Sequence, residues 1–146
     1  MSLTSWIKDI VVNHKRITAC VLEFSANEST AYARLMITNK SRLPISITGI
    51  SIVVSFQQCS CTALPKLFGT TFRYTSAKLI DRSVEYSTAL PIHVPGLGGT
   101  TALVLFEELP QTVPRSSKYL TFVIYTNRGS PNEMTLPLPE EWASRS

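Results

Sequence analysis

Long apolar runs are absent: no stretch approaches the ~18 consecutive apolar residues that a membrane-spanning helix needs, which excludes such a helix. Trp6 to Val12 is interrupted by Lys8 and Asp9 and followed by charge rather than by a small-residue cleavage site. It therefore does not read as a signal peptide, and a cytoplasmic protein is expected. Cysteine is scarce. Cys20, Cys59 and Cys61 form an odd set, unlike the framework of a disulfide-stapled secreted domain, so reduced thiols are expected. Aspartate is scarcer still, with only Asp9 and Asp81, and no Gly-x-Ser-x-Gly elbow or other signature sets a nucleophile beside a base. No repeat of constant period and no low-complexity tract occurs, which excludes a solenoid.

Charge of one sign is in only modest excess. The chain carries 14 basic and 10 acidic residues, for a formal charge of +4. Only Lys15–Arg16 and the pair Lys40 and Arg42 bring basic residues close together. A nucleic-acid binder concentrates charge on one face with aromatics interleaved, so the excess reads as solvated surface and no nucleic-acid partner is expected.

What is present is a chain of 146 residues, 44% hydrophobic and 16% charged. That is too apolar for disorder and long enough to bury a core without staples. One domain spanning 1–146 is expected. Near its start, Leu3, Trp6, Ile7, Ile10 and Val11 follow helical spacing with Thr4 or Ser5 as N-cap, predicting a short helix over 3–13. At two turns it needs something to dock on, and the protein's own sandwich is favoured over a partner or a membrane.

From Ile17 onward, β-branched and aromatic residues alternate with small or polar ones between turn-forming clusters. The pattern predicts strands over 17–25, 30–39, 45–56, 67–75, 84–94, 100–108, 118–126 and 132–138. Ala33, Leu35 and Ile37 share one face against Arg34, Met36 and Thr38, as in a sheet with one wet side. Thr101 to Phe106 is almost continuously apolar and reads as a central strand covered on both sides. The last two strands form a hairpin across Asn127 to Pro131. In 45–56, Ile45 and Ile47 share one parity while Ile50, Ile52, Val54 and Phe56 share the other, so a bulge at Thr48–Gly49 is expected to turn both sets inward. The tail over 138–146 is expected to fray. Seven or eight strands without alternating helices predict an all-β, two-sheet, immunoglobulin-like sandwich.

Asn39 to Ile52 resembles the segment of immunoglobulin-like and fibronectin-like bacterial sandwiches in which a strand ends at Asn, a polar loop and a Pro follow, and an alternating strand begins. It is most similar to the water-stress type of late-embryogenesis-abundant domain, as is Ile92-His93-Val94-Pro95 with its polar turn and following strand. Lys40 and Ser41 stand where that family has Pro and Asn. The resemblance implies a sandwich with a binding or protective role and transfers no functional residue.

Candidate sites are few. Cys59-Ser60-Cys61 places two thiols on one face of an extended segment, but zinc needs about four ligands and only Cys20, His14 and His93 remain. Buried or loop cysteines, with no metal, are expected. His93 should face outward from its strand, without a catalytic partner. Glu107 and Glu108, adjacent on a strand, point apart and read as a solvated strand end. Gly96, Gly98 and Gly99 could cradle a phosphate, but a strand rather than a helix follows, so a turn is expected. Phe68, Phe72 and Tyr74 share one parity and read as a core face. With no catalytic, cofactor or metal residue identified, the expected function is a noncatalytic interaction or structural module with a protein partner. The alternative is a small-molecule or lipid binder with a cavity between the sheets.

Overall fold

The computed structural model describes residues 17–144, side chains of 70–74, 80–81 and 143–144 excepted; the helix expected over 3–13 lies outside the described residues. Ten strands are present: β1 (Ile17–Ala26), β2 (Ala31–Asn39), β3 (Ile45–Val54), β4 (Gln57–Ser60), β5 (Leu67–Thr75), β6 (Lys78–Tyr86), β7 (Ile92–Val94), β8 (Gly99–Phe106), β9 (Tyr119–Thr126) and β10 (Asn132–Pro137). A short helix, α1 (Glu140–Ser144), follows.

The strands make two antiparallel sheets and a separate hairpin. One sheet has the order β1-β2-β8; the other runs β10-β9-β3-β4, with β7 also paired to β3; β5 and β6 pair only with each other. The two larger sheets share one core. Ala33, Leu35, Ile37, Val104 and Phe106 come from the first and Ile47, Ile50, Ile52, Phe122 and Ile124 from the second. This is the expected all-β sandwich, and the alternation in β2 falls as read, with Arg34 and Met36 on the opposite face.

The expected bulge is present. The register of β3 against β9 shifts between Ile47 and Gly49, and Ile45, Ile47, Ile50, Ile52 and Val54 are all buried. Period-2 geometry would have exposed one of these sets, and the extra residue inverts the phase. Phe56 does not join them. The strand ends at Val54, Ser55 and Phe56 make a two-residue turn, and the Phe56 ring stands fully in solvent.

The segment read as one strand over 84–94 is instead the end of β6, a connection and the short β7. Leu103 and Leu105 of β8 are buried on the face away from the inter-sheet core, so this strand is covered on both sides as expected. It is not central by pairing, since β2 is its only strand partner among the described residues. Single backbone bonds from Thr62 and Thr88 to the carbonyls of Leu105 and Leu103 occupy its other edge.

Within the tail expected to fray over 138–146, residues 140–144 form α1, and 145–146 lie outside the described residues. Trp142 on α1 is buried, its ring edge-on to Phe24 at 4.9 Å between centroids, with the Arg115 guanidinium 4.9 Å from its centre. The large apolar area of one indole outweighs the local polarity that suggested fraying.

Candidate functional site

The cysteines are free, and the structure keeps them apart in role. Cys20 is exposed on β1, in register with Met36 of β2. Cys59 and Cys61 are half-buried against the core, and burial pushes the Cys61 thiol up from its usual range. Among the described residues no three His, Cys, Asp or Glu side chains come together as a metal cluster would require; His14 lies outside them.

Glu107 and Glu108 diverge, Glu107 reaching Lys66 at 2.7 Å and Glu108 standing exposed. The glycine turn is a packing device. A Cβ on Gly96 would sit 2.1 Å from the Arg42 carbonyl oxygen, so the two loops can meet only there without a side chain. The opposing loop is held by Asn39, buried at the end of β2. Its Nδ2 donates to the carbonyls of Leu43 and Pro95 at 2.8 and 3.3 Å, and its Oδ1 accepts from the Ser41 amide and hydroxyl at 3.0 and 2.7 Å. That accounts for the Asn at the strand junction as a structural cap.

His93 faces outward, as read, but it has a partner. Ser46, opposite it in the β3–β7 register, places Oγ 2.7 Å from His93 Nδ1. The Ser46 amide donates to Asn127 Oδ1 at 2.9 Å and its carbonyl accepts from the Asn127 amide at 3.0 Å, which ties the β9–β10 turn to this strand. A surface pocket of about 460 Å³ lies over these residues. Sequence reasoning missed Ser46, Asn127 and Arg128; the only signal was that Asn127 and Arg128 occupy a turn.

The hairpin β5–β6 departs most from expectation. The three aromatics are expected on a core face, but the described side chains of the hairpin lie outside the shared core. Phe68 packs on Tyr32 of β2, ring centroids 4.4 Å apart; the side chains of Phe72 and Tyr74 lie outside the described residues. Arg34 fastens the hairpin to the first sheet, reaching Glu85 at 2.5 Å and Glu23 at 3.3 Å. The hydrogen bond to Glu85 holds the Arg34 guanidinium above its usual range.

Since Glu85 turns toward Arg34, its neighbours Val84 and Tyr86 turn away from the sheet. Both are exposed, as is Leu67 opposite Tyr86, making an apolar strip on the hairpin's outer face. Lys78 and Arg82 on the same hairpin are exposed and form no ion pair among the described residues. Core side chains from both sheets meet between them, and the pockets at Gly129 to Met134, over His93 and beside Phe24 open at the surface. None of the described helices is long and apolar enough to cross a membrane.

No family model matches this chain, and no curated protein matches it. The resemblance over Asn39 to Ile52 therefore stands on its own residues. Among solved structures, the chain is similar to the copper-bound PCuAC domain from PmoF2, at 13% sequence identity, covering 84% of this chain and 92% of that one with a TM-score of 0.50. At that identity the likeness carries the β-sandwich fold and no residue of the copper site.

Proposed function

We propose that this chain is a noncatalytic binding module whose partner is a protein. The observation that supports this is the β5–β6 hairpin, a two-stranded ribbon outside the sandwich, with both outer edges unpaired among the described residues and Leu67, Val84 and Tyr86 facing solvent. Isolated ribbons expose backbone donors and acceptors that an added strand can satisfy, and an apolar strip beside such an edge gives that strand side-chain contacts. The unpaired Lys78 and Arg82 favour a partner segment that is extended and acidic. An intracellular site fits the reduced thiols.

The neighbour's copper supports a metal-carrying reading less well, because the described His and Cys side chains do not converge here. Buried side chains from both sheets, Ile37, Ile50 and Phe122 among them, meet where the small-molecule reading needs its cavity, which favours that reading less.

The test compares wild type with Val84→Glu/Tyr86→Glu in affinity capture from the native host, identifying bound proteins by mass spectrometry and measuring the recovered partner's affinity with purified components. A saturable complex that the double variant loses, at unchanged melting temperature, supports the reading. Equal binding by both proteins, or no saturable partner, overturns it.

A further inference from the structure

The groove at the end of the second sheet is unrelated to the hairpin and has a different chemistry. Its apolar base is formed by Ile45, Val94 and Pro95, and its polar wall by Ser46, His93, Asn127 and Arg128. Ser46 is engaged through its hydroxyl, amide and carbonyl, while His93, Asn127 and Arg128 are each held by one group and leave another open. His93 Nδ1 meets the Ser46 hydroxyl at 2.7 Å; when it accepts that proton, the imidazole carries its own N–H at Nε2. Asn127 is fixed through its Oδ1 and its backbone amide, both bonded to Ser46, while its Nδ2 donates to no atom of the described residues. Arg128 is fixed by its backbone, whose amide and carbonyl bond the Thr126 hydroxyl at 3.2 and 2.7 Å, while its guanidinium makes no ion pair among the described residues.

Two unengaged donors on a turn held in place by backbone bonds, joined by His93 Nε2 in the tautomer whose Nδ1 accepts from Ser46, therefore border one pocket. No carboxylate lines that pocket among the described residues. With the backbone of the Arg128 turn already held, binding has only the side chain left to order. A planar guanidinium with two neutral donors suits an oxyanion, whose several lone pairs accept from all of them at once. We infer that this groove is a binding site for a small oxyanion, a phosphate or carboxylate group, with Arg128 as the charged anchor and His93 and Asn127 as orienting donors.

The test titrates isotopically labelled protein with inorganic phosphate and, separately, with acetate, at constant ionic strength, following the His93 ring and the Asn127 side-chain amide by NMR. Saturable shifts in the millimolar range, confined to residues 44–46, 93–95 and 127–128, are expected with at least one anion. Saturation by phosphate alone, acetate alone or both identifies the group recognised. Arg128→Ala should weaken binding about tenfold, the loss of one charge-assisted hydrogen bond, and His93→Gln should weaken it less. Lys118→Ala, at the opposite end of β9, should leave it unchanged. Linear, unsaturated shifts with both anions, equal binding by Arg128→Ala, or equal weakening by Lys118→Ala would each overturn the site in favour of diffuse attraction to a basic surface.

Discussion

Replacing Trp142 by Ala tests whether α1 is part of the fold. The indole is 2% exposed and packs edge-on against Phe24 while Arg115 lies over its ring. Emptying a site filled by a buried aromatic costs ~3–5 kcal/mol where the surroundings cannot collapse. One contribution runs the other way: the indole Nε1 is buried without a hydrogen-bond partner among the described residues, and its release recovers about 1–3 kcal/mol of desolvation. The mid-range values leave a net loss of about 2 kcal/mol. In a chain of this length each kcal/mol moves the melting temperature by ~2–4 °C, so a fall of about 4–8 °C is expected. Calorimetry or circular dichroism in parallel with urea titration measures it. Trp142→Phe separates the terms, because it keeps a ring against Phe24 and removes the unpaired N–H; it should lie within about 1 kcal/mol of wild type. If Trp142→Ala melts within about 1 °C of wild type, α1 is not docked in solution and the packing argument fails.

Three further outcomes are expected. Gly96→Ala places a methyl 2.1 Å from the Arg42 carbonyl oxygen, a backbone atom that cannot swing aside, and should destabilise by about 2 kcal/mol or more in urea titration. Ser76 and Ala77, with φ of 51° and 64°, occupy positions that cost side-chain-bearing residues, so Ala77→Gly should raise the melting temperature or leave it unchanged; a clear fall would refute the turn geometry. Thiol titration of the denatured, unreduced protein should find three free groups, and in the native protein Cys20 should be alkylated faster than Cys61, measured by peptide mass spectrometry. The sign for Cys61 follows from burial: its folded pKa is raised, so its contribution to stability is complete below the ordinary thiol range of about 8.5 and is lost as pH rises through the folded value.

How much of this was legible depends on whether the physical cause was local. The bulge at Thr48–Gly49 was readable because a parity change is written directly into the run from Ile45 to Val54. The β9–β10 hairpin was readable because Asn127 to Pro131 carries ordinary turn residues. The β3–β4 and β5–β6 turns were hidden for the opposite reason. Two-residue hairpin turns with positive φ at both positions are signalled by Asn-Gly or Asp-Gly, and these chains place Ser55-Phe56 and Ser76-Ala77 there. The first was absorbed into a longer strand, which carried Phe56 wrongly into the core. The docked tail had a signal that was passed over: Pro139 followed by Glu140 and Glu141 is a helix start, with acid at the positive end of the dipole, and Trp142 is too large an apolar group to leave in water without reason.

The groove shows a different kind of illegibility. Ser46 and His93 are 47 residues apart and meet only because a three-residue strand, Ile92–Val94, adds to the edge of β3 in one register. A shift of one residue would set Ser46 opposite Ile92 or Val94, turn His93 inward and leave Asn127 bonded to a strand with no partner for its neighbour. What holds that register is the burial of Ile92 and Val94 together with Ile45 and Ile47, so the apolar residues position the polar pair. The same reasoning applies to the hairpin. Gly69, Thr71 and Ser83 gave no sign that β5 and β6 would leave the sandwich, and the residues that hold the hairpin to it, Arg34 with Glu85 and Tyr32 with Phe68, are joined by contacts across 51 and 36 positions of sequence. In both places the side chains available for binding are ordinary surface residues, and their arrangement follows from where the core places the strands that carry them.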